Sequence, residues 1–329
     1  MRAYILRRLL LIVPSFLGIT FIVFLVMVLT PGDPTRLALT QEGGLETKTT
    51  ALHREAIRKL YGLDQPVHVR YLKWLKNVVT FNFGRSFIGW RPISTKIARR
   101  LPITISLNVC ALLIIYVVAI PVGVFAAVKQ NSLSDRVITL VLFILYSMPA
   151  IWVGTMLMLY FGGTQYLDWF PIGGLNSGLH ERMAFLAWLR DRLWHMVLPV
   201  VTLTYAGFAS LSRYMRSGML EVIRQDYIRT ARAKGLKERT VILRHALRNS
   251  LIPIVTISVM SIPGLLGGSV IVEKIFNING MGLLFYEAVM QRDYYTVMAL
   301  TTISGFLVLV CLVLVDVMYA LVDPRISYE

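Results

Sequence analysis

Six stretches of the chain run without a charged residue: Leu9 to Leu29, Ile103 to Val128, Val137 to Phe161, Met196 to Ser212, Leu251 to Val272, and Thr296 to Val315. An α-helix rises ~1.5 Å per residue, so runs of about 20 residues cross the ~30 Å hydrocarbon layer of a bilayer. The fourth run is the shortest and predicts a helix that continues past Arg213, whose aliphatic stem can carry its charge to the interface. The pattern therefore predicts an all-α integral membrane protein with six transmembrane helices.

The polar sequence between the runs sets the organisation. Residues 1–30 form an N-terminal transmembrane helix, 31–102 an extracytoplasmic loop, 103–322 a five-helix core containing a basic loop at 213–250, and 323–329 a short tail. Arg2, Arg7 and Arg8 precede the first run as in a signal peptide. That run is long enough to span, however, and no small-x-small cleavage site follows it, so it reads as a retained helix. The loop opens on Pro31, Gly32, Asp33 and Pro34, which stop a helix, and stays polar through Thr50. Further on, Val67, Tyr71, Trp74, Leu75 and Val78 recur at helical spacing, predicting short helices that lie on the outer surface or cap the spans.

Charge gives the orientation. Ten of the 34 Lys and Arg residues fall between Arg213 and Pro253. Adding Arg2, Arg7, Arg8, Lys129, Arg136 and Arg325 places the basic residues of the short loops mainly on one side, which predicts cytoplasmic N and C termini. The loop at 31–102 is too long to decide orientation by its charge. The formal net charge of +16 does not indicate nucleic acid, because the cations lie in loops between apolar runs instead of interleaving with aromatics on one polar face.

Within the basic loop, Asp226 is positioned to cap a short helix over 227–234, and Gly235 to end it in the left-handed conformation. On a helical wheel Tyr227, Ile228, Ala231 and Gly235 share a face flanked by Arg232 and Lys234. Such an apolar ridge with a basic rim suits entry into a cleft on a partner. Inside the spans, Pro149, Pro263, Gly264, Gly267 and Gly268 are candidates for hinges or for close helix approach, and the fifth run has their densest cluster.

Chemistry of other kinds is missing. There is no phosphate loop of the G-x-x-x-x-G-K-[ST] type, no H-E-x-x-H, no G-x-S-x-G and no pair of ionisable residues in mid-span. The sequence thus indicates no catalytic residues, no metal site and no cofactor of its own. Cys110 and Cys311 read as core residues, and His53, His68, His180 and His195 as polar surface without ligand spacing. Asp316, Glu273 and Lys274 fall near the ends of spans, where solvation or pairing accounts for them as well as function does.

YIRTARAKGL followed by RHALRNSLIP resembles the cytoplasmic loop of ABC importer permeases, in the version of the dipeptide, oligopeptide and nickel family. The resemblance covers nearly the whole chain: RRLLLIVPSFLGITFIVF and PGDP, YGLDQPVHVRYLKWL and FGRS, RLPITISL, YSMPAIWVG, VEKIFNINGMG and DVMYALVDPRI occur in the family's order. The long first outer loop is similar to that of the first, B-type, permease of such systems.

The wider family has Glu-Ala-Ala, then Gly, then an Ile-x-Leu-Pro element. Here Arg229, Thr230 and Ala231 stand for the first, Gly235 for the Gly, and His245 to Arg248 for the last, so a basic residue replaces Glu and Arg248 replaces Pro. The resemblance implies a type I ABC importer permease fold and a coupling helix carried by Asp226, Tyr227, Ile228, Arg229, Thr230, Ala231, Arg232 and Gly235, with His245 behind it. It implies as partners a second permease subunit, two ATP-binding subunits holding ATP and Mg, an extracytoplasmic substrate-binding protein and membrane lipid, with no nucleic acid. Short peptides are the cargo implied first, with nickel chelates, glutathione or oligosaccharides as alternatives. The other class that six spans allow is an ion-coupled secondary transporter, against which the lack of mid-span carboxylates stands.

Overall fold

The computed structural model describes residues 2–30, 64–163, 166–178 and 183–322. The expected turn at Pro31 to Pro34, His53, His180 and the tail 323–329 lie outside them.

The described residues are helical almost throughout. In chain order the elements are α1 (Arg2–Leu29), α2 (Val67–Val79), α3 (Ile93–Val128), α4 (Leu133–Ser147) and α5 (Ala150–Leu157), which a π-helical turn, Met158–Gly162, extends. They continue with α6 (Phe185–Ile223), α7 (Asp226–Ala233), α8 (Glu238–Thr240), a π-helical segment Val241–Ala246, α9 (Leu247–Ser250), α10 (Ile252–Met260), α11 (Ile262–Gly267), α12 (Val270–Ile275), α13 (Met281–Met290) and α14 (Tyr294–Val322). Five stretches are long and apolar enough to cross a membrane, and the bent pair α4 and α5 makes a sixth.

Two of the six expected spans are not single helices. The third is broken at Met148 and Pro149, where the two halves meet at 94°. Pro149 has no N–H to donate and disfavours helical geometry in the residue before it, and Met148 is accordingly extended. The Tyr205 hydroxyl donates to the Met148 carbonyl at 2.7 Å, satisfying an acceptor released by the break. The fifth is interrupted at Ser261, ahead of Pro263, and again at Gly268 and Ser269. The fourth extends as expected past Arg213, to Ile223.

The chain forms two compact units, one from the residues up to Ile103 with those from Gly280 onward, the other from Thr104–Asn279. In the first, α1 lies along α14. Gly305 permits the approach, since a Cβ there would come within 2.9 Å of Ile19 Cγ2, and Phe16 meets Phe306 edge-on at 5.4 Å. Arg8 and Asp316 join the same two helices at 3.2 Å. The apolar face of α2 turns inward as its periodicity predicts: Trp74 and Val78 are buried with Phe24, Phe83, Ile93 and Met298, and Tyr71 hydrogen-bonds Thr20 at 3.1 Å. Thus α2 caps α1.

In the second unit α3 and α6 pack in close contact. A Cβ at Gly123 would come within 2.6 Å of Met215 Cβ and 2.7 Å of the Ser212 carbonyl oxygen, so only glycine allows this approach. Ser212 adds a hydrogen bond to the Ala119 carbonyl at 3.2 Å. Met215 and Met219 then continue into the core on which the basic loop is built.

Candidate functional site

The basic loop begins where α6 ends. Its short helix starts one residue earlier than the sequence predicts: Gln225 occupies the N-cap position, and Asp226 is the first helical residue. Asp226 makes no capping hydrogen bond. Its side chain is 94% exposed and faces Arg229 at 3.5 Å, one turn along, where a carboxylate still favours the positive end of the helix. Thr230 donates to the Asp226 carbonyl at 3.0 Å.

The other end follows the expectation. Gly235 has φ +76°, its N–H donates to the Arg232 carbonyl at 2.9 Å, and the Leu236 N–H reaches back to Ala231 at 3.4 Å. This is the two-bond arrangement by which a left-handed residue terminates a helix. Arg232 closes the turn from outside with two hydrogen bonds to Glu238, at 3.1 and 2.7 Å. Those bonds are the main cause holding the Glu238 carboxyl below its usual range, against a smaller opposing effect of desolvation.

The ridge expected on one face of α7 is divided. Ile228 is fully buried and Ala231 nearly so, packed with Val241, Ile242, Ala246, Met215 and Met219. The apolar stripe of this helix thus closes the chain's own core and is not offered to a partner. Tyr227 and Gly235 remain exposed, and the Tyr227 hydroxyl accepts from Asn249 at 2.8 Å, tying α7 to α9. Outward-facing residues are Asp226, Arg229, Thr230 and Ala233, at the i, i+3, i+4, i+7 spacing of one helical face, with the Arg229 side chain 74% exposed. Lys234, Lys237, Arg239, Arg244 and Arg248 are exposed around them. His245 lies half-buried on the π-helical segment.

The loop therefore has two unlike sides. It combines an apolar inner side anchored on α6 with a polar, strongly cationic outer side. An outer side of that kind can bind an anionic or hydrogen-bonding surface through Arg guanidinium groups.

The hinge candidates fall on the two broken spans. Pro149 marks the 94° bend. Pro263, Gly264 and Gly267 lie on α11, and Gly268 ends it with φ +72° and ψ −180°, a combination that only glycine adopts readily. No atom lies near a Cβ built at Gly264 or Gly267. Asn108 of α3 donates to the carbonyls of Gly264 and Leu265 at 3.3 and 3.0 Å, holding this weak helix from the side.

Two polar assemblies escape the sequence reading. Asp135, 3% exposed, accepts two hydrogen bonds from Arg216, and its own N–H closes the turn onto Ser132 at 3.3 Å. The Ser-x-x-Asp pattern was the available signal. Asp293, 1% exposed, lies just before α14 and is contacted by the Ser86 hydroxyl, the Phe87 N–H at 3.2 Å and the Thr296 hydroxyl at 2.6 Å, with Lys96 at 3.8 Å. His195, expected on the surface, is buried on α6, with its Nδ1 2.8 Å from the Asp191 carbonyl oxygen.

Two family models match the chain. Residues 119–328 match the binding-protein-dependent transport system inner membrane component, and residues 1–108 the N-terminal membrane component of such systems. Over all 329 residues and the full length of the relative, the chain is 43% identical to an oligopeptide transport system permease protein, AppB, of Bacillus subtilis. It is similarly 39% identical to a putative peptide transport system permease of Brucella abortus, again over the full length of both. An inner membrane ABC transporter permease, YejB, of Escherichia coli O157:H7 is 32% identical over an alignment of 362 residues that covers both chains entirely.

Proposed function

The chain belongs to the family of inner membrane components of binding-protein-dependent transport systems, and from that premise we propose that it forms half of the pathway of an ATP-driven peptide importer, coupled to its ATPase through the outer face of α7. Full-length identity to peptide permeases supports the cargo. The observation that carries the coupling role is the construction of the loop. Ile228 and Ala231 bind α7 to the core formed with Met215 and Met219 of α6, so a push on Arg229 or Ala233 is transmitted to a membrane-spanning helix. A flexible loop would absorb it.

In this reading the loop lies on the cytoplasmic side. Two ATP-binding subunits hold ATP and Mg, a second permease completes the pathway, and a binding protein delivers peptide from outside. The chain performs no catalysis. ATP-driven closure of the ATPases moves α7 and α6 as one body, and the breaks at Pro149 and at Gly268 are the points where the third and fifth spans yield.

Reconstituted complex carrying Arg229→Glu tests this proposal. Uptake of a short peptide should fall at least about tenfold, the effect expected when one charge-assisted contact at an interface is reversed, while the complex still hydrolyses ATP. Uptake at the wild-type rate would remove Arg229 from the coupling surface.

A further inference from the structure

The first unit contains a cavity of about 580 Å³ between α1, α2, the segment that follows α2 and the start of α14. Phe24 and Met27 of the spanning helix α1 form its apolar wall, and Arg70, Lys73 and Arg85 bring three cations to it. No carboxylate is among the described residues that line it. The wall beneath is buried, with Phe24 and Trp74 both under 5% exposed.

Two polar atoms of the lining residues are buried without a hydrogen-bond partner among the described residues. The indole N–H of Trp74 is a donor that a phosphate oxygen can satisfy, whereas the Oε1 of Gln65 is an acceptor and calls for a donor. An orphaned buried polar group costs on the order of 1–3 kcal/mol, and where such groups occur on the wall of a cavity that also gathers cations, a ligand is the natural compensation. Arg70 lies over the Phe24 ring at 5.9 Å, which places that cation at the apolar wall.

The cavity lies at the end of a membrane span. Ile22, Val26 and Leu29 form a stripe on α1 that stays well exposed, as a lipid-facing stripe must, and Trp74 and Trp90 provide the indoles that gather at the depth of headgroups. A ligand suited to both walls has a negative head for Arg70 and Lys73 and an apolar tail for Phe24 and Met27. We propose that this cavity is a site for the phosphodiester headgroup of an anionic phospholipid, whose acyl chains lie along α1. The site is independent of the coupling loop and of the transported cargo.

The test uses the assembled complex in nanodiscs of equal parts phosphatidylglycerol and phosphatidylcholine, followed by mild detergent extraction and measurement of the lipid that stays bound. The wild type should retain phosphatidylglycerol in preference to phosphatidylcholine. Lys73→Gln combined with Arg70→Gln should lower that preference by about fivefold per cation removed. Lys73→Arg, which keeps the charge, should retain it, and an unchanged melting temperature would separate loss of lipid from loss of fold. Equal retention of the two lipids by the wild type, or an unaltered preference in the double variant, would overturn the proposal. Inorganic phosphate provides the second arm. If it binds the detergent-solubilised complex through these cations while phosphatidylglycerol is not retained, the site serves a soluble anion and the lipid assignment fails.

Discussion

Arg216 holds Asp135 with two hydrogen bonds, Nε to Oδ1 at 3.0 Å and Nη2 to Oδ2 at 2.8 Å, joining the start of α4 to the C-terminal part of α6. The carboxylate also accepts the Asn131 N–H at 3.0 Å, so nearly all its capacity is used inside the protein. Removing one partner of a buried pair leaves the other uncompensated. Asp135→Ala is expected to destabilise the protein by about 2–3 kcal/mol, less than the roughly 3–5 kcal/mol usual for a fully buried pair because the Arg216 side chain is 31% exposed. Thermal unfolding of the single variants and of Asp135→Ala with Arg216→Gln provides the check. The double variant should cost clearly less than the sum.

Ile228 and Arg229 are neighbours with opposite duties. Ile228→Ala empties a fully buried site and should cost about 2–4 kcal/mol. Arg229→Glu touches a residue whose side chain is 74% exposed and should leave stability within about 0.5 kcal/mol while reducing uptake. Unfolding curves read beside transport rates distinguish the two, and a destabilised Arg229→Glu would contradict this division.

At Gly235 the cost of a side chain lies in the backbone. Nothing lies near a Cβ built there, but φ +76° imposes about 1–2 kcal/mol on an ordinary L-residue. Gly235→Val should therefore loosen the end of α7 and depress the peptide-stimulated ATPase, whereas Gly235→Asn should be nearly neutral, because asparagine tolerates this region. Equal activity of the two variants would show that the turn does not matter to coupling.

Gly123 is limited by space and not by backbone conformation. A methyl group there would press on the Ser212 carbonyl at 2.7 Å, so Gly123→Ala should separate α3 from α6 at a cost of about 1–3 kcal/mol. Gly264→Ala has open space and should leave the melting temperature unchanged or raise it. If α11 yields during transport, the same substitution slows uptake. Melting temperature and uptake measured together on each variant decide the matter.

The Arg232 and Glu238 pair should respond to acid. A carboxyl whose pKa is lower in the folded than in the unfolded chain contributes stability above the unfolded value and loses it as pH falls through the folded value. Glu238 is of this kind. The difference in stability between wild type and Glu238→Gln should be small at neutral pH, because both side chains are largely exposed, and should vanish in acid as the carboxyl protonates. A difference that grew on acidification would contradict the pairing.

Much of this architecture is legible in the residues. Uninterrupted apolar runs locate the spans, Val67 to Val78 shows its helical face, and Gly235 announces a left-handed stop. Periodicity shows that Ile228 and Ala231 share a face, but it cannot say whether a partner or the chain itself covers that face. The core that buries them is assembled from α3, α6, the π-helical segment and α10. The 94° bend was hidden because Pro within a membrane run is compatible with a mild kink as well as with a break. Asp135 and Arg216 are 81 residues apart, and no local pattern joins them.

The central claim is that the outward face of α7, and not its apolar stripe, meets the ATPase. Single cysteines placed at Ala233 and at Ala231, in a chain with Cys110 and Cys311 replaced, put it to the test by crosslinking to the ATP-binding subunits in active complex. Ala233→Cys should crosslink efficiently, and Ala231→Cys, buried at 7% exposure, should not. Crosslinking from Ala231 alone, or from neither position in a transporting complex, would contradict the account.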